Sequence, residues 1–272
     1  MKRLLMPFIR LVRGERKTHR SLNIIKTIFV NFKALPFSQA RHLPIFIYSG
    51  TRIYHLGKIT INSPQVTRGM ISIGKIDFKS QGHGKIFNLG EIRFEGPVII
   101  GGGVIIENLG CIILHGQNFI SEGVTLLIRD RLEIGCFSRI GFRCFFMDSD
   151  DHFTINCKDL SIRRNKQPII IGQYNWIAGR THVKKGAVTP DYTIVASAHT
   201  LLTKDYSNIE KYSVLGGIPA KVIGQGIRRI HNWEAEQQIY SYFNANPDKD
   251  IYIADISPEE IDDYCLSNAL HF

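Results

Sequence analysis

The stretch MDSDDHFTINCKDLSIRRNKQP, from Met147 to Pro168, holds the densest group of chemically useful side chains in the chain: Asp148, Asp150, Asp151, His152, Arg163 and Arg164. An imidazole with an ordinary pKa near 6.5 exchanges protons at neutral pH. Carboxylates and guanidinium groups beside it hydrogen-bond polar ligands, sugar hydroxyls among them. These are the residue types of acid–base chemistry. A surface loop of solvated acids around one histidine has the same composition, and for Asp151 that plainer reading is the better one. What holds the group in place decides between the two, because sites are usually built on loops carried by a rigid scaffold.

The scaffold is written as a repeat. Stepping by six from Ile171 gives Ile177, Val183, Thr189, Val195 and Leu201, and a second ladder runs Ile128, Ile134, Ile140, Phe146. A period of six fits neither the helical 3.6 nor uninterrupted strand alternation. It fits a coil of short strands joined by tight corners, each placing one branched side chain inward. Small residues follow the ladder positions, as at Gly135, Gly141, Gly172, Ala178 and Ala196, where they let the backbone turn. Between Phe146 and Ile171 the ladders break for 25 residues, which is not a multiple of six, so the His152 stretch loops out of the repeat.

Upstream, IFNLGEIRFEGPVIIGGGVIIENLGCIILHG is rich in β-branched residues and glycine with irregular register, and reads as earlier coils. A stacked solenoid needs a cap at each end. Helix-like sequence before residue 55 and after Val222 supplies them; Ser257, Pro258 and Glu260 form a capping-box arrangement at the start of the last helix. The division expected is a basic helical segment over 1–55, coils over 56–223 with an inserted loop near 147–168, and a helical tail over 224–272.

IGCFSR (Ile134 to Arg139) and IGQYNW (Ile171 to Trp176) resemble the hexapeptide repeat of left-handed β-helix acyltransferases. MDSDDH resembles the Asp-x-Asp-x-His signature of the capsular and lipopolysaccharide O-acetyltransferases in that superfamily. As in maltose and galactoside acetyltransferases, an Arg-rich loop follows, then PIIIGQYNWI, LLTKD and GGIPAKVI. The resemblance runs from about Ile128 to Ile223. His199 departs from it, standing where a small residue is usual.

The resemblance implies an all-β, left-handed parallel β-helix in which three hexads make one triangular coil. Ile171 would then stack on Thr189, Ile177 on Val195 and Val183 on Leu201. It implies acetyl-CoA as co-substrate and His152 as general base toward a sugar hydroxyl, assistance worth roughly a hundred- to ten-thousand-fold. Asp148 or Asp150 would orient the ring, with Asp148, Arg163 and Arg164 toward the sugar. Trp176, Ala178, Gly179, Ser197, Ala198, Thr203, Lys204 and Lys221 would line the cofactor, Lys204 and Lys221 facing its phosphates. It further implies a homotrimer with sites between subunits, and a place in surface polysaccharide biosynthesis. A nucleotide-sugar N-acetyltransferase uses the same donor and the same base, and an inactive scaffold keeps the coils without the chemistry.

Composition agrees with a folded body: 44% apolar and 21% charged residues in 272. Five cysteines without a C-x-x-C pair suggest neither zinc nor disulfides, and no histidine spacing in the coils suits the three-histidine metal site of a γ-type carbonic anhydrase, so no metal is expected. The net charge of +10 is uneven: through His42 ten basic residues meet only Glu15, which leaves +1 for the rest. A basic segment carrying Leu4, Leu5, Phe8, Ile9, Leu11 and Val12 suits peripheral contact with an anionic membrane, or else a helix packed on the body. With no convincing signal peptide or membrane span, the expected location is the cytoplasm, at most peripheral to the membrane, with no nucleic-acid partner.

Overall fold

In the computed structural model, residues 20–76, 82–197 and 199–266 are described. The basic stretch before Arg20 and the expected cofactor residue Ala198 lie outside them. Short strands alternate buried and partly exposed residues: β7 (Val98–Ile100), β8 (Ile105–Asn108) and β9 (Cys111–Leu114) make one turn of the chain, each turning one or two side chains inward. Strands three apart pair in parallel, so the coils stack into three sheets. The first sheet has nine strands, from Ile45–Ile47 to Lys221–Gly224, the second seven, from Thr51–His55 to Leu201–Leu202, and the third six, from Lys58–Ile61 to Val188–Thr189. This is a left-handed parallel β-helix. Its interior is a column of branched and aromatic side chains, each contributing about 1.5–3 kcal/mol by leaving water.

The irregular upstream register has a simple cause. Inward residues Phe94, Ile100, Ile106, Leu114, Ile120, Leu126, Ile134, Ile140 and Phe146 are at most 4% exposed and advance by six, six and then eight. Second-sheet strands β8 and β11 (Thr125–Ile128) each turn a second side chain inward, Asn108 after Ile106 and Ile128 after Leu126, adding one alternation, and Cys111 accordingly pairs with Arg131 twenty residues on. Downstream the coil shortens to eighteen: Ile171 stacks on Thr189 and Ile177 on Val195. The expected stacking of Val183 on Leu201 is corrected by one residue, because Val183 pairs with Leu202. His199, held at φ +69°, lies in the corner that takes up the extra residue, and Leu202 rather than Leu201 turns inward.

Strands β1 (Ile45–Ile47) and β2 (Thr51–His55) place the first coil ahead of residue 56. Two runs this short carry no visible period. The open end is closed by α1 (Ile24–Ala34), capped by the Asn23 side chain. Asn31 donates to the Ile45 carbonyl at 2.7 Å and accepts from the Ile45 amide at 3.0 Å, and the Thr27 hydroxyl accepts from the Ile47 amide at 3.0 Å. Polar side chains thus satisfy the otherwise bare edge of β1. Val30 plugs the interior among Ile47, Ile53 and Ile59, one from each sheet.

At the other end β21 (Val214–Gly216) and β22 (Lys221–Gly224) form an antiparallel pair, followed by α2 (Trp233–Ala245) and α3 (Ile261–Cys265). The Ser257 amide donates to the Glu260 carboxylate at 2.8 Å, and Arg228 ion-pairs with Asp262. His231 is buried, and neither ring nitrogen has a hydrogen-bond partner among the described residues; desolvation first, then the Arg229 and Arg139 cations, pull its pKa down to about 3.

Candidate active site

The second sheet brings β14 (Phe145–Met147) to a corner of the prism, and there the chain leaves the coil. It runs out and back as an antiparallel arm, bridged at Ser149 with Lys166 and at Ile155 with Ile162, before rejoining the third sheet at β15 (Ile169–Ile171). Every residue from Asp150 to Arg164 is exposed. The arm begins with a fixed base. Asp148 is fully buried, and its two carboxylate oxygens accept the Arg129 and Asp130 amides at 2.7 Å each. Burial pushes its carboxyl above the ordinary value, and the amides offset this in part.

This position corrects the expected role of Asp148. Its oxygens face the corner backbone one coil back, and the pairing with the His152 ring is not formed. Asp150 does not hold the ring either. Its carboxylate lies 2.5 Å from Lys185 Nζ and 3.7 Å from Lys184 Nζ, and the Lys185 hydrogen bond foremost holds it below the usual carboxylate range. Asp151, at φ +57°, pairs with Arg129 Nε at 3.3 Å.

His152 is attached through its backbone, whose amide donates to the Asp150 carbonyl at 2.7 Å. Its imidazole stands in solvent, with no hydrogen-bond partner among the described residues. Arg163 and Arg164 lie on the returning limb, and the Arg164 carbonyl accepts from Lys185 Nζ at 3.3 Å. Lys184 and Lys185, at the end of β17 (His182–Lys184), therefore tie the two limbs of the arm to the prism. Sequence reasoning passed over both lysines, since a Lys-Lys pair before a glycine carries no mark of what it faces.

The expected cofactor residues fall on more than one edge of the prism. Thr203 and Lys204 follow β20 (Leu201–Leu202), below Lys184 on the same corner as the arm. Lys204 Nζ sits 5.5 Å from the Tyr206 ring. Ala178 and Gly179 follow β16 (Trp176–Ile177) at the opposite edge of the second sheet, and Ser197 donates to the Gly179 carbonyl at 3.0 Å from the next coil. Trp176 faces outward on the first sheet, with the Arg229 guanidinium 5.3 Å from its ring. Lys221 is exposed on β22. One chain therefore offers two edges flanking the outer face of the second sheet, the His152 arm on one and the small residues on the other. Among the described residues, no group of three or more His, Cys, Asp or Glu is arranged to hold a metal ion.

No family model matches the chain, and no curated protein matches it. Among solved structures it is similar to the polysialic acid-specific acetyltransferase NeuO, with 15% identity and a TM-score of 0.49 over 75% of this chain and 91% of that one. It is similar also to the polysialic acid O-acetyltransferase OatWY, with 18% identity and a TM-score of 0.40 over 79% and 96% of the two chains. A hexapeptide-repeat acetyltransferase from Vibrio cholerae O1 biovar eltor, crystallised with acetyl coenzyme A, gives 14% identity and a TM-score of 0.35 over 74% and 83%. These are likenesses of fold.

Proposed function

We infer that the protein is an acetyl-CoA-dependent O-acetyltransferase of the hexapeptide-repeat type, acting on a sugar hydroxyl in surface polysaccharide biosynthesis. The observation that carries this reading is the break in an otherwise regular prism, which lifts one unpartnered imidazole, His152, onto an arm anchored by Asp148 and Lys185. The neutral ring accepts the proton of the hydroxyl as that oxygen attacks the thioester carbonyl; the thiolate leaves and is protonated in turn. Among the described residues of one chain no carboxylate orients the ring, so proton acceptance by the bare imidazole is the first role assigned to it. In this reading Arg163 and Arg164 bind the acceptor, and Trp176, Ala178, Gly179, Ser197, Thr203, Lys204 and Lys221 bind the donor.

The same reading needs a second copy. The arm exposes Phe153, Ile155, Leu160 and Ile162, an apolar load that a solvated arm does not carry by itself. The edge of Ala178, Gly179 and Ser197 and the His152 edge lie apart in one chain. A homotrimer in which each arm packs against the neighbouring prism covers the apolar residues and joins the two edges. Peripheral membrane contact through the basic N-terminal segment, at the cytoplasmic face, completes the proposal.

The test is free-thiol release from acetyl-CoA across a panel of mono- and oligosaccharides. Acceptor-dependent release that falls at least about a hundredfold in His152→Ala, with the urea midpoint unchanged, supports the reading. Equal release by wild type and variant rejects it.

A further inference from the structure

Helix α1 is amphipathic in the reverse of the usual sense. The side it buries holds Thr27, Val30 and Asn31, two of them polar. The side it leaves open holds Ile24, Ile25, Ile28, Phe29 and Phe32, with Ile25 82% and Phe29 55% exposed, and Phe37 extends the patch at 72%. Because Val30 points into the prism interior, the opposite, apolar side of the helix points away from the prism along its axis. A helix that gives its core-facing positions to hydrogen bonding and keeps its large aliphatic and aromatic residues outside is built for a second apolar phase.

Charge selects the phase. From Arg16 to Ile76 the sequence contains ten lysines and arginines and no aspartate or glutamate. Lys33 sits on α1, and Arg41 and Arg52 lie in the segments that follow it. An apolar face in a basic surround without acids is the pattern of interfacial helices on anionic bilayers, where apolar burial and attraction to the headgroups add. Among the described residues no helix is long and apolar enough to cross a membrane, so contact through α1 would be peripheral.

We propose that the exposed face of α1 (Ile25, Ile28, Phe29, Phe32) with Phe37 docks this end of the prism on an anionic lipid surface, with the prism axis standing off the membrane. The His152 corner belongs to β14, four strands along the second sheet from β2. At about 4.8 Å per strand the site is held roughly 20 Å above the first coil. Resting on the acyl-transfer reading above, the acceptor is then a lipid-linked glycan long enough to cross that gap, and the sugar beside the lipid is out of reach.

The experiment is flotation of the full chain with vesicles of phosphatidylcholine containing about a third phosphatidylglycerol, against phosphatidylcholine alone. Wild type is expected to float with the anionic vesicles, and Ile25→Asn/Phe29→Asn/Phe32→Asn to lose at least about tenfold in partitioning, with its circular dichroism and urea midpoint unchanged. Phe29→Trp adds a reporter: its extra emission should be water-like alone and quenched by brominated lipid. Wild type that stays unbound, or a triple variant that floats equally well, overturns the proposal. So does apolar Phe29→Trp emission without vesicles; if independent of concentration the patch covers itself with this chain's own N-terminal segment, and if concentration-dependent with a second copy. Acetyl transfer to a soluble acceptor reads the activity separately: a triple variant that still acetylates it but no longer floats separates docking from catalysis, and a wild type that floats but transfers nothing retains the docking face alone.

Discussion

Replacing Asp148 tests whether the carboxylate nearest the arm is a catalytic group or the pin that holds the arm. It accepts two corner amides at 2.7 Å in a fully buried place. A buried donor left without an acceptor costs about 1–3 kcal/mol, so Asp148→Ala, which strands both amides, should lower stability by roughly 2–6 kcal/mol. Asp148→Asn keeps one acceptor oxygen and turns its amide group toward the other N–H, losing about half of that. Urea unfolding gives the stability change, and thiol release per folded molecule gives the activity. The expected pattern is a midpoint that drops in the order wild type, Asn, Ala, with kcat/KM of the Asn variant within about threefold of wild type, far from the hundredfold or more of a lost proton-transfer partner. An Asn variant with an unchanged midpoint and a hundredfold loss of kcat/KM would refute the argument and return Asp148 to the ring of His152.

Three further outcomes follow from particular contacts. His231 is depressed to about 3, so the unfolded chain binds its proton first as pH falls; its contribution is full above about pH 6.5 and declines below it, by about 2 kcal/mol from pH 7 to pH 5. Urea titrations of His231→Gln at the two pH values should show that much less acid sensitivity than wild type, and equal sensitivity would contradict its buried neutral state. Asp150 is held low by Lys185, a favourable contribution present above the ordinary carboxylate pKa and lost as pH falls through the lower folded value; because the pair is partly exposed, Asp150→Asn should cost only about 0.2–1 kcal/mol at neutral pH, while freeing the arm enough to raise its protease sensitivity in limited digestion. In Gly110→Ala a new Cβ would run into the backbone carbonyl of Asp130 one coil on, so thermal unfolding should shift down by several degrees, and an unchanged midpoint would mean that the stacked corners can spread.

The six-residue ladders by themselves specify coils of short strands, because a period of six admits one inward residue per short strand and a corner between each pair. They also marked the arm, since 25 residues do not divide by six. The longer upstream coils were not legible in the same way: a step of eight arises only when Asn108 turns inward after Ile106, or Ile128 after Leu126, and side-chain direction belongs to pairing across strands. Of the site, the cluster Asp148 to Arg164 stood out by residue type alone. That Asp148 faces the backbone, that Asp150 faces Lys185, and that α1 turns its isoleucines outward were decided by tertiary structure. The physical reason is common to all three. Sequence determines which groups a short segment carries, while the partners of a charge or a packed face come from segments fourteen or more residues away, and only stacking brings them within hydrogen-bond reach.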